Sequence, residues 1–309
     1  MNLEAFVLGT GGVMPLPGRH LTSVLLRREG DLFLFDCGEG TQISLRQLKL
    51  RWKKINVVFL SHTHADHVTG LPGILMLSSQ VDRDDPLYII GPPNTAKYVE
   101  TSRTVLNMHI NYDIVVKEIT EPGIVYEDDG FSVRAFGLRH TRQCFGYALE
   151  EESRPGVFHP ELARDCGVPE GPLWSKLQKG ESVESADGST VEPDQVLGAA
   201  RHGRKFAYVT DTRYFDGISR EVRGADLLVC EGMFTDDLTA NAQDKGHMTA
   251  TQAARVARDA GNVGKLGLIH YSPRYTEHDL RKLASEARLV FKHSFLTRDR
   301  QVIDIPFTE

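Results

Sequence analysis

The chain has 309 residues, 40% apolar and 25% charged, an ordinary globular balance with ample length for a buried core. Its net charge of −6 argues weakly against a nucleic-acid partner, but the charge is uneven: residues 151–200 hold ten Asp/Glu against four Lys/Arg, and the rest sums to zero. No apolar run reaches the roughly 18 residues of a membrane span, and the amino terminus lacks the basic stretch of a secretory signal. Four scattered cysteines (Cys37, Cys144, Cys166, Cys230) have no C-x-x-C spacing, which excludes a disulfide scaffold or a cysteine-rich zinc module. The expectation is a cytoplasmic protein without a membrane partner.

In chain order, LEAFVLGTGG, TSVLLRR and LFLFDCG predict short strands, from β-branched and aromatic content between glycine boundaries. TQISLRQLKLRW predicts a helix with Thr41 as its N-cap, and INVVFLSH an apolar strand that ends in a histidine cluster. PLYIIGP, YDIVVKEI, IVYED and FSVRAFGLRH predict further strands, with PNTAKYVETSRTVL as a helix among them. Residues 151–200 then change character, with five prolines, many acids and almost no strand pattern. They predict an inserted arm in a single domain spanning 1–309. After Arg204 the alternation resumes with KFAYVTD, ADLLVCEG, the amphipathic MTATQAARVARDAG and KLGLIHYSP. Two β-rich halves with helices outside predict a four-layer αββα sandwich whose loops gather at one edge.

The segment SHTHADHVTG places His62, His64, Asp66 and His67 within six residues. At the end of an extended strand, residues 62 and 64 point the same way, and two imidazoles so placed can grip one cation. Asp66 and His67 follow where the chain turns towards a helix expected near Val68, so they can aim at a second point close by. His140, Asp211 and His270 each sit where a predicted strand stops. Together these seven N/O donors, without sulfur, suit zinc, or manganese less strongly. A sensible division gives His62, His64 and His140 to one ion and Asp66, His67 and His270 to another, with Asp211 bridging. Two ions a few Å apart suit the hydrolysis of an ester, with metal hydroxide as nucleophile and Asp66 orienting it or taking its proton.

With those residues in view, H-x-H-x-D-H followed by distant His, Asp and His resembles the metallo-β-lactamase superfamily. Within it the chain is similar to the ribonuclease Z family of tRNA 3′-processing endonucleases over nearly its full length. LGTGG, FDCGEGTQ, HADHVTGLPGIL, KFAYVTDTRY, GHMTATQAA and HYSPRY carry the likeness. So does GVPEGPLWSKLQKGESV at 167–183, which resembles the protruding arm of that family. The resemblance implies an α/β fold with an exosite arm at 151–200 and the same seven metal ligands. It also implies His247 as general acid, with Glu231 as its carboxylate partner. Arg274 in SPRY is a candidate phosphate contact.

The function implied is a zinc-dependent phosphodiesterase carrying two Zn2+ per subunit (Mn2+ possible). It would remove the 3′ trailer from precursor tRNA by metal-hydroxide attack, leaving a 3′-hydroxyl on the tRNA. A homodimer is implied too, the arm of one subunit holding the tRNA cut in the other. The acidic arm departs from a phosphate clamp, so Lys176, Lys179 and Trp174 are its candidate contacts, and the basic run Arg46–Lys54 is a second source. The metal motif is shared with small-molecule hydrolases acting on cyclic nucleotides, aryl sulfates or lactones, which form the alternative.

Overall fold

A computed structural model describes residues 2–81 and 83–307. The chain divides into two units, one of residues 2–150 with 205–306, the other of residues 151–204 with Phe307. The first half of the larger unit supplies β1 (Leu3–Gly9), β2 (Ser23–Arg28), β3 (Asp31–Phe35), β4 (Ile55–Phe59), β5 (Leu87–Gly91) and β6 (Ile114–Glu118). Then come β7 (Gly123–Asp128), β8 (Phe131–Arg139) and β9 (Gln143–Glu151), and, in the smaller unit, β10 (Val183–Glu184) and β11 (Thr190–Val191). The last five are β12 (Lys205–Val209), β13 (Leu227–Glu231), β14 (Lys265–Ile269), β15 (Ser294–Leu296) and β16 (Val302–Asp304).

Two seven-stranded mixed sheets result, in the orders β16-β1-β2-β3-β4-β5-β6 and β15-β14-β13-β12-β9-β8-β7. In the first, β3, β4, β5 and β6 run parallel; in the second, β12, β13, β14 and β15 do. The inner faces meet in one apolar core: the Phe35 ring lies 5.1 Å from Phe59 in its own sheet and 5.2 Å from Phe206 in the other. Burying a side chain of this size contributes about 1.5–3 kcal/mol.

Helices cover both outer faces. Helices α1 (Thr41–Gln47), α2 (Ala65–Val68), α3 (Leu71–Ser79) and α4 (Thr95–Val105) flank the first sheet. After α5 (Pro160–Asp165) and α6 (Pro172–Gln178) in the smaller unit come α7 (Gly217–Glu221), α8 (Thr239–Lys245), α9 (Ala250–Ala260) and α10 (Glu277–Val290). Helix α9 buries Ala253, Val256, Ala257 and Ala260 against the second sheet. It opens with a capping box between Thr249 and Gln252 and closes at Gly261. The fold is thus the four-layer αββα sandwich of the metallo-β-lactamase type.

Three local expectations change. Gly40, at φ 92°, caps α1, and Thr41 lies inside the helix, its hydroxyl donating to the Gly38 carbonyl at 2.7 Å. The helix stops at Gln47, because the chain must turn at Lys49 (φ 55°) to enter β4. The helical turn expected near Val68 begins at Ala65, so His64 is its N-cap. The smaller unit buries a core of its own, Ala163, Val168, Leu177, Val183, Val191 and Val196, which makes it richer in packing than its composition suggests. Within it, Glu151 takes a two-pronged ion pair from Arg204 at 2.7 and 2.9 Å, and the Phe307 ring lies 3.5 Å from the Arg154 guanidinium and 3.9 Å from that of Arg204.

Candidate metal centre

Parallel strands deliver their carboxyl ends to one edge, and that edge carries the polar residues. Asp36 follows β3, Ser61 and His62 follow β4, Asp211 follows β12, Glu231 ends β13 and His270 follows β14. His140 follows β8, and α2 supplies Asp66 and His67. All seven expected ligands converge in the larger unit, with Glu231 and His247 beside them.

The seven form two groups. In the first, His62 Nε2 lies 2.9 Å from His64 Nδ1, which is 3.2 Å from His140 Nε2. In the second, Asp66 Oδ2 lies 3.6 Å from His67 Nε2 and 3.8 Å from His270 Nε2. Asp211 faces both. Its Oδ2 is 3.6 Å from His62 and 3.7 Å from His140, and its Oδ1 is 3.3 Å from His67 and 3.2 Å from His270.

The far side of each ring is fixed. The Gly246 carbonyl can only accept, so His140 carries its proton on Nδ1 and donates it there at 2.9 Å. His67 donates Nδ1–H to Asp36 Oδ2 at 2.7 Å. The Ser61 hydroxyl donates to the same carboxylate at 2.8 Å and so accepts from His62 Nδ1–H at 3.0 Å. The Thr22 hydroxyl donates to the Gly11 carbonyl and accepts from His270 Nδ1–H at 2.7 Å. Four imidazoles therefore turn Nε2 towards the centre.

Two of those atoms, His67 Nε2 and His270 Nε2, are buried and make no hydrogen bond among the described residues. Orphaned buried nitrogens are costly unless something else satisfies them, and a cation between them and the carboxylates does so. Burial holds His62 and His270 below the ordinary imidazole range, which keeps their lone pairs free. Burial opposes ionisation of Asp211 as well, but the surrounding histidines outweigh it and hold the carboxyl well down. The cluster is built for a divalent metal.

Next to it, His247 Nδ1 lies 3.2 and 3.3 Å from the two oxygens of Glu231. Glu231 is fully buried and takes the amides of Thr212 (2.6 Å) and Met248 (3.2 Å). Burial pulls the His247 imidazole down, yet Glu231 and Asp211 outweigh it and push it up to about 9. Its ring sits 5.1 Å from that of His140 and 5.5 Å from that of His270, between the two groups.

The expected substrate contacts are placed differently. Arg274 is exposed four residues beyond His270, its Nε donating to Ser272 at 3.2 Å and its guanidinium 5.1 Å from the Phe234 ring. Lys176 on α6 and Lys179, its C-cap, are exposed in the smaller unit. Trp174 is engaged there: its indole donates to the Val168 carbonyl at 3.1 Å and packs beside Phe158. The basic run Arg46–Lys54 leads into β4 at the strand's amino end, the edge opposite the histidines. Asp36, Ser61 and Thr22 were not legible as site residues. A buried acid ending the apolar LFLF run was the available signal for Asp36.

These features define the class: a hydrolase of the metallo-β-lactamase fold with a histidine–aspartate metal centre. Two family profiles match parts of the chain, "Anti-Pycsar protein Apyc1" over residues 3–109 and "Beta-lactamase superfamily domain" over residues 178–271. Ribonuclease Z of Treponema denticola is 62% identical over 309 residues, covering 100% of both chains. Ribonuclease Z of Borrelia hermsii is 44% identical over 308 residues, covering 97% of this chain and 96% of that one. The crystal structure of the short form of human tRNase Z superimposes with a TM-score of 0.72 at 26% identity, over 98% of this chain and 100% of that one. The chain belongs to the ribonuclease Z family and is an endoribonuclease.

Proposed function

We propose that the chain removes the 3′ trailer from precursor tRNA as a phosphodiesterase with two Zn2+ per subunit, leaving a 3′-hydroxyl on the tRNA. The observation that carries this is the position of Asp211, one oxygen towards each histidine group. An all-nitrogen-and-oxygen donor set suits zinc or manganese. The separations of 2.9 and 3.2 Å within the first group approach the roughly 3.3 Å expected between ligands of a tetrahedral ion bonded at about 2.0–2.1 Å. His62, His64 and His140 would hold one ion, Asp66, His67 and His270 the other, with Asp211 between them. When bound, the pair supplies Lewis acidity towards a phosphoryl oxygen and a nucleophilic water at neutral pH.

The protein's own groups do the rest. Asp66 accepts the Val13 amide at 2.7 Å, which holds its carboxylate in place facing the second group. His247 donates Nδ1–H to Glu231, so its transferable proton is on Nε2, and that proton passes to the leaving ribose 3′-oxygen as the P–O bond breaks. Arg274, on the loop leaving His270, would hold a phosphate. In the smaller unit, residues 151–200 act as the tRNA-holding arm, with Lys176 and Lys179 as its contacts. A homodimer pools such contacts from two chains. Four free cysteines support a reducing, cytoplasmic setting, and no helix among the described residues is long and apolar enough to cross a membrane.

The test is cleavage of end-labelled precursor tRNA by the purified protein with zinc, after chelation and as Asp66→Ala. Metal-dependent cutting at one position beside the acceptor stem, lost in the variant, is expected. Hydrolysis confined to a small diester such as bis-p-nitrophenyl phosphate would overturn the substrate assignment.

A further inference from the structure

A polyanionic substrate needs cations beside the scissile bond, and the acidic 151–200 segment is a poor source of them. Topology separates two of the exposed basic clusters in the larger unit. Arg46, Lys49, Arg51 and Lys53 gather at the amino end of β4, away from the metal centre. The other lies on the edge that carries it. Strand β15 runs parallel to β14, Leu296 opposite Leu268, so the chain leaves β15 at the edge where it leaves β14 for His270. Thr297 is tied there: its amide donates to the Leu268 carbonyl at 3.1 Å, and its carbonyl accepts from Tyr271 at 3.2 Å. Arg298 follows directly.

Across from Arg298, the exposed side of α10 presents Arg281 and Arg288. The three arginines line a groove of about 660 Å³ over Phe295 and Leu296, and no carboxylate among the described residues lines it. Arg281 and Arg298 also reach the adjoining 290 Å³ cavity beside Thr10 and Arg300. That cavity has two acids, and both are committed. Glu277 pairs with Arg19 at 2.7 Å, and Asp299 accepts from the Thr10 hydroxyl (2.7 Å) and the His20 amide (2.6 Å). In the groove itself, planar guanidiniums over an apolar floor, with no carboxylate in the lining, fit consecutive phosphodiesters.

Resting on the reading above, we propose that the groove between α10 and the 296–301 turn is an RNA-backbone track that leads phosphates to the metal centre. It adds to the contacts of an arm whose net charge is acidic. The side chains that carry the track are Arg281 and Arg298.

The test is equilibrium binding of precursor tRNA to the chelated, non-cleaving protein across a salt series. The wild type, Arg281→Gln/Arg298→Gln, Arg281→Lys/Arg298→Lys, and Lys49→Gln/Arg51→Gln at the opposite edge are compared. Removing one cation that neutralises a phosphate should lower the slope of log K against log salt by roughly 1. The glutamine pair at the groove is therefore expected to lower the slope by about 2 and the affinity at least tenfold. The lysine pair should keep most of the slope, the opposite-edge pair nearly all of it, and every variant the wild-type melting temperature. Equal losses from both glutamine pairs, or none from the groove pair, would overturn the track while wild-type binding and cutting leave the tRNA assignment standing. A wild type that binds no precursor tRNA would overturn both.

Discussion

His140 donates to the carbonyl of Gly246 at 2.9 Å, so the peptide that leads into the proposed acid also fixes the tautomer of a proposed ligand. Gly246 ends α8 at φ 77°, and a Cβ there would meet His140 Nδ1 at 2.8 Å. Gly246→Ala should cost about 1–2 kcal/mol for the left-handed backbone alone. It should also push the His140 imidazole out of position, seen as weaker metal binding in a competition titration. Unchanged metal affinity with a lowered melting temperature would leave Gly246 a helix terminator only.

Asp36 is the hub beneath both histidine groups, with the Ser61 amide, the Ser61 hydroxyl, His67 and Tyr208 all donating to it within 2.8 Å. Asp36→Asn removes the charge, and its amide would point a donor at donors. A loss of about 1.5–3 kcal/mol of stability is expected, with roughly 10–100-fold weaker metal binding. Tyr208→Phe, deleting one donor, should cost only about 1 kcal/mol. Thermal melts in chelator and metal titrations read the two effects separately.

If Glu231 and His247 form the acid pair, His247→Ala should slow single-turnover cleavage about 10²–10⁴-fold at full metal content. Asp211, His247 and His270 also present donor atoms within 4.8 Å of one another. A variant that loses metal in step with activity would make His247 a ligand instead.

Leu177 is completely buried at the centre of the small core in the 151–204 unit. Leu177→Ala should cost about 2–5 kcal/mol in that unit. Limited proteolysis should then cut within 151–204 while the rest resists and still binds metal. Cleavage of tRNA should fall, and hydrolysis of a small diester should persist.

Much of the fold was legible because its strands and helices carry simple patterns. Glycine-bounded apolar runs located β1, β2, β3 and β5, an apolar run stopping at the histidines located β4, and the small-residue face of 253–260 located α9. Strand β9 escaped because Gly146 interrupts it and both of its faces are buried, which erases the period of two. Helix α10 was missed although Leu280, Leu283, Ala284 and Ala287 recur at helical spacing. The metal cluster was legible because its residues end strands or crowd into six positions. Its supports were not: Thr22 meets His270 and Asp36 meets Tyr208 only across great sequence distance.

Strand β1 pairs with β16, and the cluster at His62–His67 is completed by Asp211 and His270. On the ribosome, the first ligands therefore emerge long before their partners and before the strand that closes the first sheet. A nascent chain that has not yet reached Asp211 and His270 carries only part of this donor set, so cleavage competence is expected only once both have emerged.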